Sequence, residues 1–142
     1  MHFQPALKLA CAVLLAVRVL PAYACGYCVE DKIAAVYDHA IVTGAATQSH
    51  QVAFFAIDGP VPPDAAARSA IQRAIAGSRG MDAGSTRVSL DSGSLSFAFD
   101  PRRIKLAFVQ RELERRLSAY RLSLMPLRVM DKPAELKAVS AR

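Results

Sequence analysis

The spacing of apolar residues predicts a helix, a strand and a second helix in the first half of the chain. Between residues 29 and 41 the apolar positions recur at intervals of three and four, which is typical of one amphipathic helix that ends near Thr43-Gly44. Residues 45 to 50 then predict a loop, and the nearly unbroken apolar run from Gln51 to Asp58 predicts a strand. Asp64 is a suitable N-cap for a helix that continues to about Ala76.

The second half predicts a hairpin, a helix and a last strand. Apolar and polar residues alternate over 86–90 and 95–99 on either side of a turn at Asp91–Ser94, which indicates a β-hairpin. Asp100 followed by Pro101 predicts the start of a helix that runs to about Ala119. Its expected inward positions are Ile104, Phe108, Leu113, Leu117 and Tyr120. Residues 122–130 predict a strand, and Pro126 confines that strand to an edge of the sheet.

This order of elements predicts an α+β fold, a ferredoxin-like βαββαβ sandwich with an extra N-terminal helix. We expect the ferredoxin-like domain to span residues 50–130 and the leading helix to span residues 25–44. The charged, Ala-rich segment 131–142 predicts a flexible tail.

Residues 1–24 have the pattern of a signal peptide. Lys8 precedes an apolar stretch from Leu9 to Leu20, and Ala22-Tyr23-Ala24 places small residues at both positions that signal peptidase inspects. The stretch is too short and too interrupted for a stable membrane span. Lipid attachment at Cys25 ranks behind soluble export, because lipoprotein signals usually carry Leu where Ala22 stands. We therefore expect a periplasmic or secreted protein in an oxidising compartment.

Cleavage after Ala24 would leave one domain of modest positive charge. Removal of Lys8 and Arg18 lowers the formal net charge from +6 to +4, with 16 basic and 12 acidic residues in the mature chain. The chain has no Trp, and no Lys/Arg run in the mature part exceeds two residues. Nucleic-acid binding favours a basic stripe with stacking aromatics, so we expect no nucleic-acid partner.

Cys25-Gly26-Tyr27-Cys28 is the candidate reactive site. Cys11 would leave with the leader, so the mature chain would keep only this pair, at its N-terminus. A disulfide between the two cysteines would close so small a ring that it adds little stability. A domain of this size also folds without disulfide staples. Reactivity is therefore the better explanation for the pair.

The stretch from Arg68 to Tyr120, with Phe99-Asp100-Pro101 after the hairpin, resembles the heavy-metal-associated domain of copper chaperones and metal-transporting ATPases. The resemblance implies the ferredoxin-like fold and a metal transporter or metal-accepting protein as partner. Members carry Cys-x-x-Cys between the first strand and the first helix. Here that loop, Asp58 to Asp64, holds no thiol, and the pair is displaced to the mature N-terminus.

Helix and strand lengths suggest where the displaced pair lies. A leading helix of about 15 residues is roughly 22 Å long, and the first strand runs back roughly 26 Å. If the two elements pack antiparallel, Cys25 and Cys28 return to the end of the sheet that carries the Pro-rich loop, Pro60–Pro63. That is the end where the family resemblance places the metal.

Three uses of the dithiol stay open. Two thiolates suffice for a soft ion such as Cu(I), so metal binding or delivery is the first hypothesis, with Cys25 and Cys28 as the ligands. The second is a thiol-disulfide redox protein, because Cys-Gly-Tyr-Cys at a helix start resembles the site of periplasmic disulfide isomerases. The third is a partner-binding module with a passive disulfide. Only the thiolate form binds metal, so an oxidising compartment favours the second.

Other side chains offer weaker chemistry. His39 is about 16 Å along the helix from Cys28, which is too far for both to bind one metal ion. His50 is expected at the same far end, so both His39 and His50 are expected to be exposed or capping histidines. The methionines Met81, Met125 and Met130 are expected in the core or on the surface. The acidic residues Glu30-Asp31, Glu112 and Glu114 lie among basic neighbours and predict ion pairs on helix surfaces. No catalytic set is recognisable, which favours a protein that is not an enzyme.

Overall fold

A computed structural model describes residues 24–133, with side chains from Val29 onward. The predicted signal peptide up to residue 23, with Cys11, and the predicted tail beyond Pro133 lie outside the described residues. The helices are α1 (Ala24–Ala34), α2 (His39–Thr47), α3 (Ala65–Ala76) and α4 (Leu106–Leu117), and a 3₁₀ turn spans Ser118–Tyr120. The strands are β1 (Gln51–Asp58), β2 (Arg87–Ser89), β3 (Ser94–Phe99) and β4 (Ser123–Met130).

The four strands form one antiparallel sheet in the order β2-β3-β1-β4. Together with the connections β1-α3-β2 and β3-α4-β4, this order is the ferredoxin-like arrangement, so the predicted fold class is confirmed. β4 lies at an edge, as Pro126 predicted. In the ladder between β1 and β4, Phe55 pairs with Pro126 and the preceding residue, Phe54, pairs with Arg128, so one residue of β4 is skipped. Leu127 is therefore the extra residue of a β-bulge.

The sheet is covered on both faces because β1 is apolar on both. Its side chains alternate between two separate hydrophobic clusters, and residues 52–57 are all buried. The first cluster packs α3 and α4 against the sheet and includes Phe55, Phe97, Phe99, Ile71, Ile75, Leu95, Leu113 and Leu117. The second packs α1, α2 and the turn between them against the opposite face and includes Ile33, Val36, Val42, Ala45, Val52, Phe54 and Ala98.

The N-terminal segment differs from the single helix predicted. α1 ends at Ala34, and a second helix begins after Asp38. Asp38 itself has an extended backbone, and its Oδ1 accepts from the backbone N–H groups of Ala40 (3.0 Å) and Ile41 (3.2 Å). An aspartate N-cap of this kind satisfies orphan donors and favours a helix start. α2 then continues to Thr47 through residues predicted as loop.

The helix before the last strand also begins later than predicted. The Asp100 carboxylate accepts from the Arg102 N–H at 3.0 Å, and its carbonyl accepts from the N–H groups of Arg103 and Ile104. These bonds close an isolated turn, and α4 begins at Leu106 after Lys105. The later start changes the inward face, so that Val109 is buried while Phe108 is 50% exposed.

Two serines of β3 provide a test of how α1 and α2 are held. Ser96 and Ser94 are two residues apart on the same face, and both are buried (2% and 0% exposed). Ser96 Oγ donates to the carbonyl of Val36 at 2.7 Å, in the turn between α1 and α2. Ser94 Oγ has no hydrogen-bond partner among the described residues.

We expect Ser96→Ala to lower the free energy of unfolding by about 1–3 kcal/mol, because the buried Val36 carbonyl loses its partner. Ser94→Ala is the matched control and should be neutral or stabilising, because it removes a buried hydroxyl that lacks a partner. Urea denaturation of both variants measures the difference. Equal destabilisation by the two substitutions would contradict the assignment.

Candidate functional site

Cys25 and Cys28 occupy the second and fifth positions of α1. A spacing of three residues places both positions on the same side of a helix. The helix start is the end where the backbone dipole stabilises negative charge, which includes a thiolate. Their side chains lie outside the described residues, so their role as ligands stays a prediction.

The segment from Glu30 in α1 to Asp38 at the start of α2 crosses the sheet instead of running antiparallel to β1. Glu30 pairs with Arg128 of β4. The Val36 carbonyl accepts from Ser96 of β3. Asp38 pairs with Arg87 of β2, whose Nη2 lies 2.9 Å from Asp38 Oδ2. Arg128, Phe54, Ser96 and Arg87 are neighbours in one row across the four strands. Contacts that follow such a row run across the strands, so the antiparallel packing expected from the sequence is wrong.

The contacts of Lys32 show which side of α1 faces the end of the sheet at which β1 ends. Its Nζ donates to the carbonyls of Ser92 (2.7 Å) and Gly93 (3.1 Å) in the turn between β2 and β3. The Gly93 carbonyl also accepts from Ile57 N–H at 2.8 Å, near the end of β1. Positions 25, 28 and 32 recur at intervals of three and four. The cysteine positions therefore share the side of α1 that faces this end of the sheet.

The loop after β1 is a bend that supplies no thiol. Gly59 has φ +120°, and a Cβ at this position would lie 2.5 Å from the carbonyl oxygen of Arg121. The backbone approach to Arg121 therefore requires glycine. Asp64 is used as the N-cap of α3, where Oδ1 accepts from Ala67 N–H at 2.9 Å. Among the described residues, no group of three His, Cys, Asp or Glu side chains is placed to hold a metal ion.

The two histidines have different environments. His39 is exposed at the start of α2, and its ring nitrogens lie 3.4 Å from the hydroxyls of Tyr37 and Thr43, as expected for a surface residue. His50 is not simply exposed or capping, which corrects that expectation. Its Nδ1 lies 2.6 Å from Asp82 Oδ2, and its Nε2 lies 3.6 Å from Asp100 Oδ2.

This cluster of His50, Asp82 and Asp100 joins the start of β1, the loop before β2 and the end of β3. The Arg102 guanidinium, 3.1 Å from Asp100 Oδ1, lowers the pKa of the Asp100 carboxyl, and His50 adds a smaller effect in the same direction. Sequence reasoning missed the cluster because Asp82 is 32 residues from His50. The only sequence signal is topological, since the start of β1 and the end of β3 meet at one end of the sheet.

The methionines and acidic residues behave largely as the sequence predicted. Met81 packs against the first cluster, Met130 against the second, and Met125 is 55% exposed. Glu30 pairs with Arg128, and Glu112 pairs with arginines one turn further along α4. The Glu112 pairs are the helix-surface ion pairs that the charge pattern indicated, whereas the Glu30 pair joins α1 to β4.

A mostly apolar groove of about 470 Å³ lies between α1 and the end of β4. Its lining residues are Glu30, Ile33, Ala34, Tyr37, His39, Arg128 and Met130. Positions 30 and 34 lie on one side of α1, which is not the side of positions 25, 28 and 32. The groove is therefore separate from the cysteine positions.

Comparison with known proteins adds little beyond this geometry. No family model matches the chain, and no curated protein sequence matches it. Among solved structures, the chain is similar to a copper-binding domain from HMA7, a P-type ATPase, with 18% identity and a TM-score of 0.43. The similarity covers 56% of this chain and 96% of that chain. The assignment of the fold rests on the strand order and connections given above.

None of the helices between Ala24 and Pro133 combines the length and apolar character that crossing a bilayer requires.

Lys32→Met tests whether Lys32 holds the cysteine-bearing helix. Its two charge-assisted hydrogen bonds to carbonyls would be lost, so we expect amide exchange in α1 to accelerate by about tenfold. Hydrogen exchange followed by mass spectrometry localises the change, and exchange in α4 should stay as in the wild type. Lys132→Met is the matched control, because Lys132 is exposed beyond β4. Unchanged exchange in α1 would show that Lys32 does not anchor the helix.

The ion pairs of Glu112 predict a pH dependence of stability. The guanidinium groups of Arg115 and Arg116, each 2.9 Å from Oε1, lower the pKa of Glu112 from 4.5 to about 2. A carboxyl whose pKa is lower in the folded state stabilises that state above its unfolded pKa. The contribution disappears as the pH falls through the folded pKa.

Glu112→Gln should therefore lower the free energy of unfolding at neutral pH, and its difference from the wild type should shrink as the pH falls from about 4.5 to about 2. Urea denaturation across this pH range measures the difference. Glu114→Gln is the control, because that carboxylate accepts from the Gln110 side chain. A difference that stays constant with pH would contradict the prediction.

Proposed function

We propose that this protein is a small exported metal-binding protein that takes a soft ion such as Cu(I) through Cys25 and Cys28. The observation that carries the proposal is the position of both cysteines at the start of α1, three residues apart on one side of the helix. Two thiolates at such a spacing form a sufficient ligand set for Cu(I), which accepts low coordination numbers and prefers soft sulfur donors.

The anchoring of α1 supports this function. Glu30, Lys32 and the Val36 carbonyl each bind a different part of the sheet, so the helix that carries the cysteines is tied to a folded scaffold. Ligands on a rigid element keep their spacing when the metal leaves, which favours reversible loading. The partner of such a site would be a metal transporter or a metal-accepting protein.

Chemistry also decides which metal fits. A tetrahedral zinc site would need two further protein ligands beside the two thiolates. Zn²⁺ usually takes four protein ligands in a structural site, so a dithiol alone suits Cu(I) better.

The same helix position favours a second function, thiol-disulfide exchange. A helix N-terminus lowers the pKa of a cysteine thiol and raises the fraction of nucleophilic thiolate. An oxidising compartment would keep Cys25 and Cys28 as a disulfide that a reduced partner attacks. Metal binding requires the pair as reduced thiols at rest, whereas the redox function described here requires a disulfide. The oxidation state of the pair in protein purified from its native compartment therefore distinguishes the two functions.

The first experiment examines the exported protein, purified without oxygen from its native compartment. Mass spectrometry should show an N-terminus at Cys25, free thiols on Cys25 and Cys28, and about one copper ion per chain. An N-terminus upstream of Cys25 would contradict export with cleavage after Ala24.

The second experiment measures affinity in the fully reduced protein by competition for Cu(I) with bicinchoninate. Cys25→Ser and Cys28→Ser should each abolish competition, because a single thiolate cannot form the two-coordinate site. Met81→Leu is the matched control, since Met81 packs against the first cluster, on the sheet face opposite α1, and its loss should leave the affinity unchanged. Failure of the reduced wild type to compete would exclude metal binding. A disulfide that then exchanges with glutathione would favour the redox function.

A further inference from the structure

We propose that a basic groove at the start of α4 is a docking site for an acidic segment of a partner protein. The groove has a volume of about 390 Å³. It is lined by the cations Arg103, Lys105 and Arg111 together with Ile104, Ala107 and Phe108. This surface goes beyond metal binding and does not depend on it.

The groove brings together three cations that no carboxylate of residues 24–133 neutralises. Six other arginines of the described surface are paired with carboxylates, whereas Arg73, Arg79 and Arg121 are not. The pairs are Arg68 with Asp91, Arg87 with Asp38, Arg102 with Asp100, Arg115 and Arg116 with Glu112, and Arg128 with Glu30. Within residues 24–133, no carboxylate lies within 4.0 Å of Arg103, Lys105 or Arg111. Three neighbouring cations therefore present their charge to solvent, where carboxylates of a partner complement it.

Phe108 gives the same surface an apolar anchor. Its side chain is 50% exposed, whereas α4 packs on the sheet through Val109, Leu113 and Leu117. The ring therefore does not belong to the core of the helix interface. Exposed aromatic residues beside arginines are the residue types that dominate binding energy in protein interfaces.

The backbone at the start of α4 adds to the attraction for carboxylates. Lys105 occupies the N-cap position and makes no side-chain capping bond. The first-turn N–H groups of a helix carry partial positive charge, which an acidic side chain of a bound segment would neutralise.

The small extent of the groove favours a peptide segment over a membrane. A lipid headgroup layer meets cations over a broad surface, whereas here three cations surround one exposed ring in a site of about 390 Å³, which suits one or two side chains of a peptide. The groove also lies at the sheet end where β3 finishes and β1 begins, since Gln51 pairs with Phe99. A partner docked there would leave the opposite end, toward which the cysteine positions face, accessible.

The test uses a short fluorescein-labelled peptide of Asp and Glu with one central Phe, and fluorescence anisotropy with the full exported chain. Replacing the three cations together, Arg103→Gln, Lys105→Gln and Arg111→Gln, should weaken binding by about tenfold. The matched control replaces Arg73, Arg79 and Lys132 by Gln, which removes the same charge from exposed positions elsewhere and should change the affinity by less than about twofold.

Phe108→Ser separates the apolar contribution from charge. It should weaken binding by about threefold to tenfold while leaving the salt dependence unchanged, because the cations are kept. Equal losses in the two triple variants would show that affinity follows net charge alone and would overturn the proposal. Binding to phosphatidylglycerol vesicles without binding to the peptide would also overturn it, since the surface would then recognise a membrane. Affinities are compared only for variants whose circular dichroism spectra match that of the wild type, because matching spectra show that the variant is folded.

Discussion

The structure depends on the burial of one strand on both of its faces. Phe54 and Phe55 are consecutive residues of β1, so their side chains point to opposite sides of the sheet, yet they are 1% and 0% exposed. A two-layer ferredoxin-like domain covers only one of these faces. Leaving the other bare would expose Val52 and Phe54, at a cost of roughly 1.5–3 kcal/mol for each side chain. The N-terminal helices are therefore part of the core.

This constraint gives the cysteine-bearing helix two structural tasks at once. α1 covers the second face of the sheet through Ile33, and its first turn carries the dithiol. Its polar anchors, at Glu30 and Lys32, bind β4 and the turn between β2 and β3. A change in the position of α1 would disturb packing beneath Phe54, so the core restrains the site that we propose for metal.

Much of the fold was predictable because strong local patterns agreed with tertiary packing. The apolar run at β1, the alternation around the hairpin and Pro126 at the edge each placed a strand correctly. The helix boundaries were harder, because Asp38 and Asp100 are both residues that favour helix starts. Asp38 does cap a helix, whereas the Asp100 carboxylate binds the Arg102 backbone and side chain, and a separate turn closes there.

The candidate site was predictable in sequence but not in placement. Cys25 and Cys28 stand out by their spacing alone, whereas the direction of α1 depends on partners that are distant in the chain. The contacts of His50 with Asp82 and Asp100 were hidden for the same reason. No local pattern encodes contacts that arise only when β1, β3 and the intervening loop meet.

The distances along the chain between α1 and its partners also set an order of events during synthesis. Glu30 is 98 residues from Arg128, and Val36 is 60 residues from Ser96. α1 is synthesised before the other described elements, yet its packing is complete only after β4, the last strand, has been made. Until then α1 lacks its contact with β4, and only its contact with the turn between β2 and β3 and the bond from Ser96 to the Val36 carbonyl can form.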